Sequence, residues 1–232
     1  MLLNNLEGRQ RDFYRKKYQE YGDDPRSLSW NDRKSQFLRF DSLCDLFRFE
    51  NNDRFSVHEV GCGLGHFLEY LHGRDLYPVY SGSDIVPEFI EQSKKKFPDV
   101  EFYLENIASP YDEIEKRIKN CDYYCLSGTF NPKGDVPLAD WENFIHRSIS
   151  NMFRMARKGI CFNFLTSYSD FKNPELYYAD PRETIDYCIR HLSRFVAMSQ
   201  TLPLFEFTVL VYRQEYIRKL HPGFTRYFRG KR

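Results

Sequence analysis

The stretch Val57-His58-Glu59-Val60-Gly61-Cys62-Gly63-Leu64-Gly65-His66-Phe67 reads as a strand running into a glycine-rich turn that opens a helix. Glycines at alternate positions let the backbone take positive φ and let a ligand lie directly against it, where any side chain would stand in the way. A nucleotide-like ligand uses such a turn; a tight strand-to-helix turn without a ligand is the plainer alternative. The dinucleotide fingerprint needs its third glycine at position 66, where His66 stands, so a pyrophosphate site is disfavoured. A triphosphate loop is excluded more firmly, because no Gly-Lys-Ser or Gly-Lys-Thr follows. His66, just inside the helix, is a candidate base or ligand contact, with local packing or capping as its ordinary role.

The elements that must position this turn follow from periodicity. From Phe55 onward strands and helices alternate: strands over 55–60, 79–84, 100–103, 121–127 and 160–165, and helices over 67–72, 87–96, 111–118 and 139–155. Such alternation argues for a parallel sheet with right-handed crossovers. After a helix over 181–192, strands over 194–201 and 206–213 are joined too closely for a parallel return, so they form an antiparallel hairpin. Before the first strand, helices over about 7–21 and from Asn31 or Asp32 through Phe47 make an N-terminal cap. The expected fold is therefore α/β: a doubly wound, mostly parallel seven-stranded sheet with an antiparallel C-terminal hairpin and an N-terminal helical cap. One domain over 1–232 accommodates it, with the cap at 1–50, the core at 55–213 and a basic tail at 214–232.

Composition narrows the function classes. A net charge of +1 lacks the positive field of a general nucleic-acid binder. Neither a signal-like start nor a bilayer-length apolar stretch is present, so the expectation is a soluble cytoplasmic protein without membrane contact. The cysteines Cys44, Cys62, Cys121, Cys125, Cys161 and Cys188 are scattered and form no CxxC pair. Cys121 and Cys125, four apart in a strand, share a face at too great a separation for bridging, so buried structural thiols are expected and no zinc site.

Glu59-Val60-Gly61-Cys62-Gly63-Leu64-Gly65 resembles the E/DxGxGxG motif of class I S-adenosylmethionine-dependent methyltransferases, a Rossmann-like family, and Tyr80-Ser81-Gly82-Ser83-Asp84 supplies its second feature, an acid ending the second strand. The resemblance covers about 55–213 and implies S-adenosyl-L-methionine as cofactor. It implies donor contacts from Glu59, Gly61, Cys62, Gly63 and Gly65, and ribose hydroxyls donating to Asp84. The adenine would lie between Ile85 and the segment ending in Asn106-Ile107, with Asn106 equally readable as a loop turn. Ser127, after the fourth strand, would stand beside the methionine and methyl group, and Arg39 of the cap offers a fork to the methionine carboxylate. Candidates for lining the acceptor are Tyr18, Trp30, Phe130, Asn131, Asn163 and Tyr178; for the cap tyrosines and for the Tyr177–Pro181 run, simple packing or helix capping is the competing role.

The implied activity is transfer of an already activated methyl group to an oxygen or nitrogen of a small-molecule acceptor, with catalytic residues unassigned beyond the candidate His66. A protein or RNA methyltransferase is the alternative, as is a module that binds S-adenosylmethionine without turnover. Amino-methylating nucleic-acid enzymes carry two adjacent prolines after strand four, whereas this chain has Ser127-Gly128-Thr129-Phe130-Asn131-Pro132. A metal-assisted mechanism would need an acid where Ser127 stands, so no metal is expected. Arg218, Lys219, Arg226, Arg229, Lys231 and Arg232 could attract phosphates, though such tails are more often only solvated.

Overall fold

In the computed structural model, which describes residues 2–51 and 54–228, parallel strands stack from the middle of the sheet outward. They are β1 (Ser56–Val60), β2 (Val79–Asp84), β3 (Glu101–Leu104), β4 (Tyr123–Leu126) and β5 (Gly159–Thr166). A two-residue strand β6 (Tyr178–Ala179), not anticipated from the sequence, pairs in parallel with the end of β5. The closing hairpin β7 (Val196–Ser199) and β8 (Glu206–Tyr212) is antiparallel, and β8 also runs antiparallel to β5. The order β3-β2-β1-β4-β5-β8-β7, with β6 on β5, makes an eight-stranded sheet of the expected doubly wound kind. The order reverses between β1 and β4, which opens a crevice at the carboxyl edge where ligands of open α/β sheets bind.

The central strands are apolar on both faces because helices cover both. In β4, Tyr124 and Leu126 face one core while Tyr123 and Cys125 face the other. The first core packs α6 (Leu138–Met155) and α7 (Pro181–His191) on the sheet, with Trp141, Ile145, Met152 and Cys188 buried. The second packs α2 (Arg33–Cys44) and α3 (His66–Gly73), through Phe40, Leu43, Phe67 and Leu71. Asp32 caps α2, its carboxylate accepting from the Ser35 amide at 2.6 Å.

A third, smaller cluster sits under α1 (Leu2–Tyr21), where Tyr14 and Tyr18 meet the edge of Phe89 on α4 (Pro87–Lys96). The helix expected over 111–118 is confined to α5 (Tyr111–Ile114), beyond which the Arg117 amide bonds the Ile114 carbonyl in a tighter turn, while Ile114 and Ile118 both remain buried. Within the expected tail, α8 (Gln214–Leu220) seats Ile217 in the second core, so this stretch packs instead of being only solvated. Arg229, Lys231 and Arg232 lie outside the described residues. No described helix is long and apolar enough to cross a membrane.

Candidate active site

The glycine turn takes the backbone form its sequence demands: Gly61, Gly63 and Gly65 have φ of 68°, 51° and 75°. Space is as restrictive as conformation, because a Cβ on Gly61 would come within 2.2 Å of Thr129 Oγ1 and one on Gly63 within 2.6 Å of Leu28. The turn therefore lies in contact with the loop after β4 and with the cap. Between these walls and α1 runs a cavity with about 930 Å³ of non-atom space, part of it open to solvent.

Asp84 sits centrally on one wall. Its Oδ2 accepts from the Gly63 amide at 2.9 Å and its Oδ1 from the Val86 amide at 2.9 Å. Burial pushes its pKa up to about 6, opposed by those backbone amides and that of Ile85. Each carboxylate oxygen retains a lone pair for a further donor. Glu59, deeper in the wall, is 3% exposed and takes the Tyr80 hydroxyl; burial first, then the charge of Asp84, raise its pKa well above the usual carboxylate range, with the Tyr80 hydrogen bond opposing. Tyr14 comes down from α1 near Asp84, and burial together with that charge keeps its hydroxyl protonated.

Of the residues expected around the donor, Glu59, Gly61, Cys62, Asp84, Ile85, Asn106, Ile107 and Ser127 line this cavity. Gly63 and Gly65 do not line it; they shape its wall, Gly63 by donating to Asp84 and Gly65 by starting α3. Asn106 is occupied at both ends, its Oδ1 accepting from the Ala108 amide and its Nδ2 donating to Glu7. Ser127 Oγ is buried without a partner among the described residues.

Arg39 requires a correction. It does not offer its fork to the cavity but clamps Glu206, with Nε 2.7 and 2.9 Å from the two carboxylate oxygens, and stacks 4.4 Å from Trp30. Glu206 in turn accepts from Asn163 Nδ2 at 3.1 Å, and Asn163 Oδ1 takes the Gly128 amide at 2.7 Å. A relay of side chains thus ties the cap to the loop after β4.

Among the expected acceptor-lining residues, Trp30 alone reaches the cavity. Tyr18 packs on Phe89, and Phe130 is fully buried and stacked on Phe164. Asn163 is the relay just described. Asn131 is 8% exposed and absent from the cavity wall, its Oδ1 without a partner among the described residues. The Tyr178 hydroxyl accepts from the Asn173 amide in its own loop. Phe130 and Asn163 turn into the packed interior, where both are buried.

His66 is 1% exposed and lines the cavity, yet both ring nitrogens are engaged: Nε2 lies 2.8 Å from Asp23 Oδ1 and Nδ1 lies 3.1 Å from Gln36 Nε2. Burial lowers its pKa, with Asp23 opposing, which favours the neutral ring, and its Nδ1 is turned to the Gln36 amide instead of to an acceptor in the cavity. Gln36, Glu7, Trp141 and Phe144 line the cavity without having been singled out from the sequence, whereas Gly128 and Thr129 belong to the run after the fourth strand that was. For Gln36 a signal existed: it precedes Phe40 and Leu43 by four and seven residues, on the buried stripe of α2, where an amide needs a partner. Glu7 and Trp141 carry no such local signal.

No protein-family model matches the chain. It is 35% identical over 162 residues to Rv1506c of Mycobacterium tuberculosis (strain ATCC 25618 / H37Rv), a protein assigned as a methyltransferase, covering 68% of this chain and 93% of that one. Among solved structures it resembles the N-methyltransferase NodS from Bradyrhizobium japonicum WM9 in complex with S-adenosylhomocysteine, with a TM-score of 0.63 at 15% identity, over 88% of this chain and 97% of that chain. The magnesium protoporphyrin IX methyltransferase ChlM from Synechocystis PCC 6803 with bound S-adenosylhomocysteine gives 0.56 at 13% identity, over 78% and 84% of the two chains. At those identities the structures speak for the fold, and the Mycobacterium relative speaks for the family. The chain belongs to the methyltransferases, and its fold is that of the class I S-adenosylmethionine-dependent enzymes.

Proposed function

We propose that the chain moves a methyl group from S-adenosylmethionine, bound along the carboxyl edge from the glycine turn to Ile107, onto an oxygen or nitrogen of a small-molecule acceptor. The observation that carries this reading is the convergence of the positive-φ glycine turn and Asp84 on one wall of a cavity roofed by α1. The donor supplies a methyl group already activated by its sulfonium, so the protein's part is to orient the acceptor and exclude water. Asp84 accepts from ribose hydroxyls while two backbone amides hold its carboxylate in place. Ile85 and Ile107 give apolar surface to the base, and Ser127 Oγ, unpartnered at the β4 end, is free to meet a polar group. No side chain on the wall is assigned as the base.

A small acceptor is supported by the shape of the site, since Trp30, Trp141 and Phe144 close it with apolar surface under α1. The segment that carries Arg218, Lys219 and Arg226 leaves β8 beside the start of β5, the sheet edge opposite the cavity. A nucleic acid held there would not deliver a base to the donor. Calorimetry with S-adenosylmethionine and S-adenosylhomocysteine tests the donor site: binding that Asp84→Ala weakens by about 1 kcal/mol or more is expected, and no binding by the wild type would overturn the reading. RNA that binds at low salt and becomes methylated would overturn the choice of acceptor.

A further inference from the structure

Gln36 is completely buried on the cavity wall, yet only half of its amide is satisfied. Its Nε2 faces His66 Nδ1, so the ring carries its proton on Nε2 and donates it to Asp23, whose other oxygen takes Lys96 Nζ at 3.0 Å. Among the described residues, Gln36 Oε1 has no hydrogen-bond partner. Buried amide oxygens are seldom left so, and one on a cavity wall points to a ligand group that donates.

The position says which group. Asn106 and Ile107 follow β3 at one end of the sheet's carboxyl edge, and Asp84 ends β2, next to β1. Gln36 reaches the cavity from the other side, with Phe40, Phe67 and His66, beyond the glycine turn. A nucleoside over the β3–β2 stretch leaves its amino-acid portion toward Gln36, and of that portion the ammonium donates whereas the carboxylate only accepts.

We propose that Gln36 Oε1 receives the α-ammonium of the donor and that His66 is a positioning residue, holding the Gln36 amide oxygen-inward. The inference rests on the donor reading above. It also assigns His66 a role that a catalytic base would not have. Protonation of His66 places a second N–H on Nδ1, which the amide meets only by turning Oε1 toward the ring and Nε2 toward the cavity, where it opposes the ammonium. The charges around the ring come from each neighbouring element: Asp23 after α1, Arg33 on α2, Lys96 on α4, and Glu69 on α3, which bridges Lys96 and Arg33.

The test compares S-adenosylhomocysteine with methylthioadenosine, which has the nucleoside but no amino acid, by calorimetry. Gln36→Met, similar in volume but without the acceptor, should bind S-adenosylhomocysteine roughly tenfold more weakly or worse, the size of one charge-assisted hydrogen bond, with methylthioadenosine affinity unchanged. Gln36→Glu, which presents an oxygen either way up, should retain S-adenosylhomocysteine binding. In the wild type the ratio of the two affinities should fall as the pH is lowered through the His66 titration, and Gln36→Met should abolish that fall. Equal losses for both ligands, or none, would overturn the role of Gln36. If Gln36→Met does not fold, a wild-type ratio independent of pH overturns the orientation by His66. Failure of the wild type to bind either ligand would instead overturn the donor reading itself.

Discussion

Along the β1–β2 wall of the cavity, Asp84 is held by the amides of Val86 and Gly63, two and 21 residues away. Along the β4 wall, the Gly128 amide is held by Asn163, which leads to Glu206 and then across 167 residues to Arg39. The first wall is fixed by backbone groups that the strand-turn-helix unit itself brings together. The second depends on side chains from three distant segments, one of them a buried ion pair. Short of proline, no substitution removes a backbone amide, whereas each member of the side-chain relay can be removed, so the two walls should differ in how they fail.

The largest effect should come from halving the ion pair. Glu206→Ala leaves the Arg39 guanidinium, at 11% side-chain exposure, without its counter-charge and should cost about 3–5 kcal/mol in urea unfolding. The double variant Arg39→Met with Glu206→Leu should recover most of it, because removing both charges removes the desolvation they impose. A single-variant loss below about 1 kcal/mol would break the contrast between the walls. On the first wall the sensitive point is steric: Gly61→Ala adds a Cβ 2.2 Å from Thr129 Oγ1 at a φ of 68°, and should cost about 2–3 kcal/mol. Thr129→Ala in that background should relieve the clash and leave about 1–2 kcal/mol of left-handed strain.

This contrast also explains what the sequence could disclose. The order of strands, the closing hairpin and the glycine turn are carried by local periodicity and by residue types that admit few conformations, so they were legible, as was Asp84 at the end of β2. Arg39 was misread because a cation on a cap helix is defined by what faces it, and nothing near it in sequence points to Glu206. Phe130, Asn163 and Tyr178 were misplaced for a related reason. A residue after a strand end is known to lie at the carboxyl edge, but which way its side chain turns is decided by the packing of α6 and by the loop over 167–177. Glu7 and Gln10 reach the cavity only because α1 folds back over it, a placement set by Tyr14 and Tyr18 on Phe89 and not by any motif.

A smaller effect should appear in the pH dependence of the first wall. Burial raises the Asp84 pKa to about 6, so the folded chain holds that proton more tightly than the unfolded one. Stability from this group is therefore fully present below the ordinary carboxylate pKa and is lost as the pH rises through about 6. Binding runs the other way, since hydroxyls donate better to the carboxylate than to the acid. Methylthioadenosine affinity should rise between pH 5 and 7, an interval spanning that pKa of about 6, and Asp84→Asn should flatten the rise. Affinity independent of pH in the wild type would separate Asp84 from the ribose.

The smallest effect belongs to the polar ties of α1, which roofs both walls. Arg9 pairs with Asp135, and Arg15 with Glu88 at 2.6 Å. The side chains of the first pair are 60% and 78% exposed, so their attraction is felt through water and screened by salt. Arg9→Ala combined with Arg15→Ala should change unfolding free energy by less than about 1 kcal/mol, the range for pairs that remain at least a third exposed to solvent, as both of these do. Amide exchange in α1 should nonetheless quicken, because these ties and the Tyr14 and Tyr18 contacts with Phe89 fasten the helix across the cavity. A roof that opens locally without unfolding the sheet would leave the Asp84 wall intact while admitting ligand. If the double variant instead lost several kcal/mol with no local change in exchange, α1 would be a structural member of both walls, and the difference between them would not lie in how they are held.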